Sequence, residues 1–114
     1  MTPCLFCRMI KKEIPSRIVY EDDDALAFED INPQAPVHMI VVPKKHIDSL
    51  SSLTQTDKDL MGSLFLIVNS LAKTRNLTPT GFRTVINTGP DGGQTVHHLH
   101  VHLLGGRQMT WPPG

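Results

Sequence analysis

The sequence predicts an α+β domain: a mainly antiparallel sheet of about five strands, one long helix and a short N-terminal helix. Short segments rich in β-branched residues alternate with turn residues, which is typical of strands joined by tight connections. One longer segment between them has apolar residues at helical spacing. The chain has 114 residues, enough to bury roughly two thirds of its unfolded surface around a single core.

The elements before the long helix follow from their apolar patterns and from the prolines that interrupt them. Residues 4–14 have mixed periodicity and predict a short helix or a turn that stops at Pro15. Residues 16–21 and 25–30 predict two strands on either side of an acidic hairpin turn. Residues 37–43 are β-branched and continuously apolar, which predicts a strand buried on both faces.

The long helix and the segments after it complete the predicted sheet. Thr54 and Asp57 have the spacing of a capping box, which predicts a helix start. An apolar stripe then recurs at helical spacing as far as about Asn76: Leu60, Leu64, Ile67, Val68 and Leu71. Residues 81–87 predict a strand, and the Gly-rich segment 88–95 predicts a loop that leads into a histidine-containing strand. We expect the helix to cover one face of the sheet and to leave the other free for chemistry.

Charge and composition exclude several classes of function. Eleven basic and eleven acidic residues give a formal charge of zero, so no basic stripe indicates a nucleic-acid surface, although a single mononucleotide phosphate needs only a few donors. The N-terminal segment has no charged leader followed by a long apolar stretch, and the longest apolar run, LFLIV at 64–68, is too short for a membrane span. We therefore expect a cytoplasmic protein without membrane contact. In that compartment the pair formed by Cys4 and Cys7 favours a metal or redox element over a structural disulfide.

Residues 96–104, VHHLHVHLL, carry four of the six histidines of the chain. His98, His100 and His102 alternate with apolar residues, so in a strand they share one face at spacings of roughly 7 Å while the apolar residues point into the core. His97 is expected at the loop boundary, without a chemical role. Chance alternation on a polar sheet face is the simplest interpretation, but the strict period and the preceding Gly-rich loop favour a functional one.

Two functional interpretations of the three alternating imidazoles differ in their chemistry. In the first, all three bind one catalytic metal ion, with water as the fourth ligand. In the second, they divide phosphoryl transfer between a nucleophile and hydrogen-bond donors. The outer two lie about 13 Å apart along a strand, whereas a Zn–N bond is only ~2.1 Å long. One ion can therefore collect at most two of the three, which favours phosphoryl chemistry.

The segment H-L-H-V-H-L-L at 98–104 resembles the signature of the histidine-triad (HIT) superfamily. Residues 4–47 and 91–114 look like the Hint branch of that superfamily, including the GGRQM and WPPG segments near the C-terminus, whereas residues from about 50 to 80 share only a helical pattern. The C-x-x-C pair is similar to that of the zinc-binding subtype. The resemblance implies a single HIT domain over residues 1–114, with a C-terminal tail from about residue 105.

The resemblance also implies an activity and a role for three histidines. It implies a hydrolase of purine nucleoside phosphoramidates or of acyl and aminoacyl nucleotides, which releases AMP or GMP through a covalent nucleotidyl-histidine. His100 matches the nucleophile, His102 matches a histidine that hydrogen-bonds the phosphate, and His38 matches a histidine that supports the triad. A histidine with a pKa of ~6.5 is mostly uncharged near neutral pH, so its lone pair can attack phosphorus. A neighbouring imidazolium is expected to offset the charge on the phosphate.

Two other functions stay open at this point. Dinucleoside polyphosphate hydrolysis occurs in a sister branch, and the WPPG ending argues against it. A non-catalytic purine nucleotide-binding regulatory protein is the second alternative, which the intact histidine triplet and the Gly-rich loop disfavour. The sequence does not identify the general acid that protonates the leaving amine.

Further positions match the nucleotide site of the Hint branch. Gly92 and Gly93 allow backbone amides to approach an anion closely, as phosphate-binding loops require. Asp30 matches a carboxylate that accepts hydrogen bonds from the ribose hydroxyls. The base slot, phosphate contacts and tail contact implied by the resemblance are Leu5, Phe6, Phe28, Ile31, Ile40, Asn87, Gly93, Gln94, Thr95, Val96 and Trp111. Hint proteins often have histidine where this chain has Glu29, which leaves the preference between adenine and guanine open.

The two cysteines supply half of a tetrahedral zinc site. The resemblance implies that His46 and His98 supply the other half. All four ligands would then be protein side chains, so the zinc would be structural, with no position for an activated water, and catalysis would not require it. A pair of reduced, metal-free thiols is the alternative.

The resemblance implies a homodimer with a shared sheet. In that arrangement the tail containing Trp111 reaches toward the partner's site. Packing of the tail on its own subunit is the alternative. A purine nucleotide substrate and a second copy of the chain are the partners that we expect.

Overall fold

The structure is a computed structural model that describes residues 4–114, and its main feature is one antiparallel sheet of five strands. Two α-helices and two short 3₁₀ turns at Leu50–Ser52 and Gln55–Asp57 complete the fold. The helices and strands in chain order are α1 (Leu5–Ile10), β1 (Ile18–Glu21), β2 (Ala25–Glu29), β3 (Val37–Pro43), α2 (Lys58–Thr74), β4 (Phe82–Val85) and β5 (Val101–Gly105). The predicted α+β class, with one long and one short helix, is confirmed.

The strand order is β1-β2-β3-β5-β4, so β1 and β4 form the two edges and β3 lies at the centre. Every pair of neighbours is antiparallel. His38 of β3 lies opposite Leu104, and His102 of β5 lies opposite Ile40. Residues two apart share a face, so these two histidines are diagonal neighbours on one face of the sheet.

Helix α2 covers one face of the sheet. Its start has the predicted capping box, in which the Thr54 N–H donates to the Asp57 carboxylate at 3.0 Å. Its end is Thr74, followed by Asn76 in the left-handed region at φ 59°, a conformation that asparagine tolerates. The core between helix and sheet consists of Ala25, Ala27, Met39, Val41, Leu64, Ile67, Val68, Leu71, Ala72, Leu77, Val101 and Leu103. Within residues 4–114, none of the helices is long and apolar enough to span a membrane.

The opposite face of the sheet is covered only in part, by α1. Phe6 and Met9 of this helix pack on the other set of alternating strand residues, namely Leu26, Phe28, Ile40 and Val42. Helix α1 ends at Ile10, before a left-handed Lys12 at φ 63°. Because α1 has only six residues, the rest of this face stays open beside the histidines.

The histidine segment differs from the strand that we expected over its whole length. Strand β5 begins at Val101, so His98 and His100 precede it and only His102 lies within it. The ladder with β3 ends at the pair of Val41 and Val101, and Pro43, two residues further along β3, has no amide hydrogen to continue it. The Leu99 amide instead donates to the carbonyl oxygen of Ile47 at 2.7 Å. The apolar residues between the histidines are buried as predicted, but His98 and His100 are buried as well, so burial alternates only within β5.

Candidate functional site

A cavity of about 400 Å³ opens on the face of the sheet that α2 does not cover. Twelve of the residues singled out from the sequence line it: Leu5, Phe6, Phe28, Asp30, Ile31, Ile40, Asn87, Gly93, Thr95, Val96, His100 and His102. They come from α1, the end of β2, β3, the Gly-rich loop and the histidine segment. The fold therefore brings together in one cavity residues that lie far apart in the sequence.

One end of the cavity is apolar. The rings of Phe6 and Phe28 lie 5.5 Å apart at an interplanar angle of 57°, a favourable aromatic arrangement. Five further residues line the cavity: Glu29, noted from the sequence for its bearing on base preference, and Met9, Ile14, Pro15 and Ser16, which sequence reasoning missed. Met9 lies within the short helix α1 and the other three follow it, in a segment of mixed periodicity that no motif marks. Met9 lies three residues after Phe6 on the same helix face, which is the one pattern that could have indicated it.

Two consecutive carboxylates at the end of β2 have different surroundings. Asp30 accepts the Asn32 N–H at 2.8 Å through Oδ1, and its Oδ2 lies 3.4 Å from His38 Nε2. The Glu29 carboxylate instead accepts from the Arg75 guanidinium at 2.7 Å, beyond the end of α2. This arginine holds the pKa of Glu29 below its usual value. The negative charge of Glu29 is therefore paired with Arg75.

His100 is held in one tautomer by a main-chain carbonyl. Its Nδ1 lies 2.7 Å from the carbonyl oxygen of His98, and because that oxygen can only accept, Nδ1 carries the proton. The neutral ring then has its lone pair on Nε2. His100 is buried and lines the cavity, and its ring contacts the ring of Phe6 edge to face at 5.0 Å. The result is a bare imidazole nitrogen in a fixed orientation.

His38 is held in the opposite tautomer by a main-chain amide. The Gln34 N–H donates to His38 Nδ1 at 3.0 Å, so the proton of the neutral ring is on Nε2. This Nε2 lies 2.9 Å from His102 Nδ1 and 3.4 Å from the Asp30 carboxylate. Burial lowers the pKa of His38, and the Asp30 charge opposes that effect. His38 is therefore a neutral N–H donor behind the cavity rather than in its wall.

The tautomer of His38 determines that of His102. Because His38 Nε2–H donates to His102 Nδ1, the proton of His102 is on Nε2. Burial, followed by the neighbouring His100 and His38, lowers the pKa of His102 to about 4. At neutral pH this side chain is a neutral N–H donor, which corrects the expectation of an imidazolium beside the nucleophile. A hydrogen bond from a neutral imidazole, rather than a full positive charge, is what it can offer an anion.

The Gly-rich loop has a backbone that only glycine permits. A Cβ atom on Gly92 would lie 2.3 Å from the Thr88 carbonyl oxygen, and Gly93 has a left-handed φ of 80°. The buried Gln94 amide accepts the Gly89 N–H at 3.0 Å and donates to the carbonyl oxygens of Asp48, at 2.8 Å, and Val96. Gln94 thus ties the loop to the segment that carries His46 and does not line the cavity.

Two other residues singled out from the sequence are exposed. Trp111 is 80% exposed and does not line the cavity. It therefore takes no part in the cavity of its own chain, and the contact that the resemblance implies is with the partner's site. His97 is also exposed, and it lies outside the cavity.

A second cluster is formed by Cys4, Cys7, His46 and His98, whose sulfur and nitrogen atoms all lie within 4.8 Å of one another. Cys4 Sγ lies 3.3 Å from His98 Nδ1, and Cys7 Sγ lies 3.3 Å from His46 Nδ1. His98 is fully buried and its Nε2–H donates to the Pro43 carbonyl oxygen at 2.8 Å, which leaves Nδ1 free to ligate. His46 Nε2 lies 2.8 Å from the Asp48 carboxylate in the same way. Two thiols and two imidazoles with outer hydrogen bonds fit a structural zinc ion.

Asp30, His38 and His102 are also close enough to hold an ion. Their hydrogen bonds do not fit one, however. Because His38 Nδ1 already accepts the Gln34 amide, its Nε2 carries a proton and has no lone pair to offer a metal. We therefore interpret this trio as a hydrogen-bonded relay.

Comparisons with known proteins agree with this geometry. The family model described as the HIT domain matches residues 11–109. The 14 kDa zinc-binding protein of Zea mays is 51% identical over 116 aligned positions, which cover 99% of this chain and 89% of that protein. Adenylylsulfatase HINT1 of Arabidopsis thaliana is 50% identical, with 99% of this chain and 78% of that protein covered.

A solved structure has a closely similar fold. The crystal structure of a HIT family hydrolase from Legionella pneumophila superposes with a TM-score of 0.97 at 47% sequence identity. The match covers 98% of this chain and 100% of the Legionella chain. The likeness therefore extends over nearly the whole length of both.

Proposed function

This chain belongs to the HIT domain family, and we propose that it hydrolyses purine nucleoside phosphoramidates or acyl and aminoacyl nucleotides through a nucleotidyl-His100 intermediate. The observation that carries the proposal is the His100 ring, whose Nδ1–H donates to the His98 carbonyl oxygen and whose Nε2 is bare beside the cavity. A relative named as an adenylylsulfatase and another named as a HIT family hydrolase support hydrolytic chemistry on a nucleotide.

In the first step, His100 Nε2 attacks phosphorus and a P–N bond to the ring forms. The bond to the leaving nitrogen breaks, its electron pair stays on that nitrogen, and a proton from solvent water joins it as the amine departs. The imidazole ring becomes positively charged as Nε2 bonds to phosphorus. The Nδ1–H bond to the His98 carbonyl oxygen strengthens with that charge and stabilises the intermediate.

In the second step, water attacks the same phosphorus from the side that the amine has left. The bond to Nε2 breaks, its electron pair returns to the ring, the entering water gives one proton back to solvent, and the nucleoside monophosphate is released. His102 Nε2–H donates to a non-bridging phosphate oxygen in both steps, and the backbone at Gly93 and the Thr95 hydroxyl lie close to the same group. Asp30 accepts from the ribose hydroxyls, and the base occupies the apolar end beside Phe6 and Phe28.

The charge of the cavity favours a monophosphate derivative over a dinucleoside polyphosphate. None of the described residues that line it is lysine or arginine, so a leaving group with several phosphates would meet no full positive charge. We expect adenosine phosphoramidate to be cleaved to AMP, with kcat/KM at least about tenfold above that for diadenosine tetraphosphate. Chromatographic assay of AMP release from both substrates measures the ratio. Faster cleavage of the diadenosine compound would contradict the proposal.

A non-catalytic role is the remaining alternative, and the same samples test it. If neither substrate is cleaved while AMP raises the melting temperature, the protein is a nucleotide-binding module. Binding of a nucleotide alone does not require a bare ring nitrogen on His100 beside the N–H of His102, so this arrangement favours a catalytic role.

We propose that the cluster of Cys4, Cys7, His46 and His98 holds one structural zinc ion. The zinc-binding relative from Zea mays supports this assignment. The ligand residues would link the start of α1 to the segment before β5, and none of the four lines the cavity. Zinc would supply cross-linking of the fold and no step of the reaction.

We infer that the chain forms a homodimer. Strand β4 is an unpaired edge of the sheet within residues 4–114, and apolar side chains are exposed on α2, with Leu66 at 71% and Phe65 at 41%. A second copy would cover both features and would give the exposed Trp111 a docking place. Light scattering should give twice the mass of one chain. Leu66→Lys on α2 should lower this mass, whereas the control Leu50→Lys, at an exposed leucine outside α2, should not. A single-chain mass for the unaltered protein at micromolar concentration would overturn the inference.

A further inference from the structure

The GGRQM segment after β5 contains an arginine to which the proposed reaction gives no role. Arg107 Nε donates to the carbonyl oxygen of Gln34 at 3.1 Å, across 73 positions of sequence. Gly106 before it has a left-handed φ of 91°, and a Cβ atom there would lie 2.9 Å from Pro36. The turn at Gly106 therefore brings the arginine directly against the loop that precedes β3.

The loop at residues 30–36 has no regular secondary structure and contains two prolines. Within it, Asp30 accepts the Asn32 N–H, and the Gln34 side chain donates to the Asn32 carbonyl oxygen at 3.0 Å. The Gln34 side chain is exposed, whereas its main-chain N–H donates inward to His38 Nδ1. An exposed loop therefore supplies the hydrogen bond that determines the tautomer of a buried histidine.

Displacement of that amide would change more than one hydrogen bond. His38 could then carry its proton on Nδ1 and present a lone pair on Nε2 to His102 Nδ1, only 2.9 Å away. Two lone pairs at that distance repel, so His102 would take up its proton on Nδ1. Its Nε2 would become an acceptor facing the phosphate oxygens, which are themselves acceptors.

We propose that Arg107 is a positioning residue: by holding the Gln34 carbonyl, it keeps the Gln34 amide on His38 and so makes His102 a donor to the phosphate. The role of His102 toward phosphate rests on the proposed function. The tautomers themselves are a property of the free protein, so they can be measured whether or not the protein hydrolyses any substrate.

The experiment is nitrogen NMR of the histidine rings in the full-length protein at neutral pH, without nucleotide. Two-bond ¹H–¹⁵N correlations distinguish protonated from bare ring nitrogens. We compare the unaltered protein with Arg107→Met, which keeps the apolar stem and removes the donors. Arg83→Met is the matched control, because Arg83 also donates to a carbonyl oxygen of the C-terminal segment, that of Thr110 at 2.9 Å, but not to Gln34.

In the unaltered protein, we expect bare Nδ1 atoms and protonated Nε2 atoms for both His38 and His102. In Arg107→Met, both rings should shift toward the Nδ1-protonated form, and in Arg83→Met both should stay unchanged. Arg107→Lys, which keeps the charge and one donor group, should give an intermediate shift. A graded response of this kind would show that the change in tautomer does not result from unfolding. Unchanged tautomers in both Arg107 variants would overturn the proposal, as would Nδ1-protonated rings in the unaltered protein. Normal tautomers in a protein that cleaves no nucleotide would contradict the proposed function alone.

Discussion

His100→Ala should lower kcat/KM for adenosine phosphoramidate by at least about 10³-fold, because it removes the atom that bonds to phosphorus. No other described residue of the cavity can take over in the same position. His102 presents an N–H instead of a lone pair, and His38 lies behind it. Affinity for AMP should fall far less, since the contacts to ribose and base do not involve residue 100.

His97→Ala is the matched control for that measurement. This histidine is exposed and outside the cavity, so its removal should leave both rate and stability close to those of the unaltered protein. Melting curves with and without AMP show whether His100→Ala is folded and binds nucleotide. Equal hydrolysis by His100→Ala and the unaltered protein would show that residue 100 is not the nucleophile.

The second large effect concerns stability. Cys4→Ser should reduce the zinc content from one ion per chain to well below one and lower the melting temperature by roughly 10 °C or more. Loss of one thiolate leaves three ligands for a metal whose structural sites use four. A serine hydroxyl at this N-cap position can still accept the Cys7 N–H, so the loss of stability comes from the metal and not from the helix cap.

Elemental analysis after exhaustive dialysis and a melting curve measure the two quantities. His97→Gln changes a histidine next to His98 without touching the cluster, so its zinc content should stay at one per chain. Zinc content unaffected by Cys4→Ser would exclude the proposed cluster. A protein that melts at the same temperature before and after removal of zinc by a chelator would exclude a structural role for the ion.

The strands and the long helix could be predicted because their signals are local. Residues 37–43 are mostly apolar and rich in β-branched side chains, and the strand found there has the same bounds. The capping box at Thr54 and Asp57 lies just ahead of α2, as its spacing indicates. The early end of the histidine strand was not predictable, since it depends on where Pro43 of another strand comes to lie.

In the candidate site, too, the local pattern could be predicted from the sequence and the tertiary contacts could not. Alternation indicated that His98, His100 and His102 have distinct tasks, and a spacing argument excluded one ion for all three. Their protonation states depend instead on hydrogen bonds to main-chain groups, such as the Gln34 amide and the His98 carbonyl, which the side-chain pattern does not show. The sequence alone does not show which main-chain groups a side chain contacts or how deeply it is buried. The expectation of an imidazolium at His102 was therefore wrong, because burial and the neighbouring histidines lower its pKa to about 4.

The most direct test of the central claim is the mass of the protein during turnover. A reaction with adenosine phosphoramidate is quenched within milliseconds in alkaline denaturant, which preserves a phosphorus–nitrogen bond to histidine. The masses of the intact chain and of its proteolytic peptides are then measured by mass spectrometry. The account predicts a fraction of chains heavier by one adenylyl group, carried by the peptide that contains His100 and absent in His100→Ala. Rapid release of AMP with no such adduct, or an adduct on another residue, would contradict it.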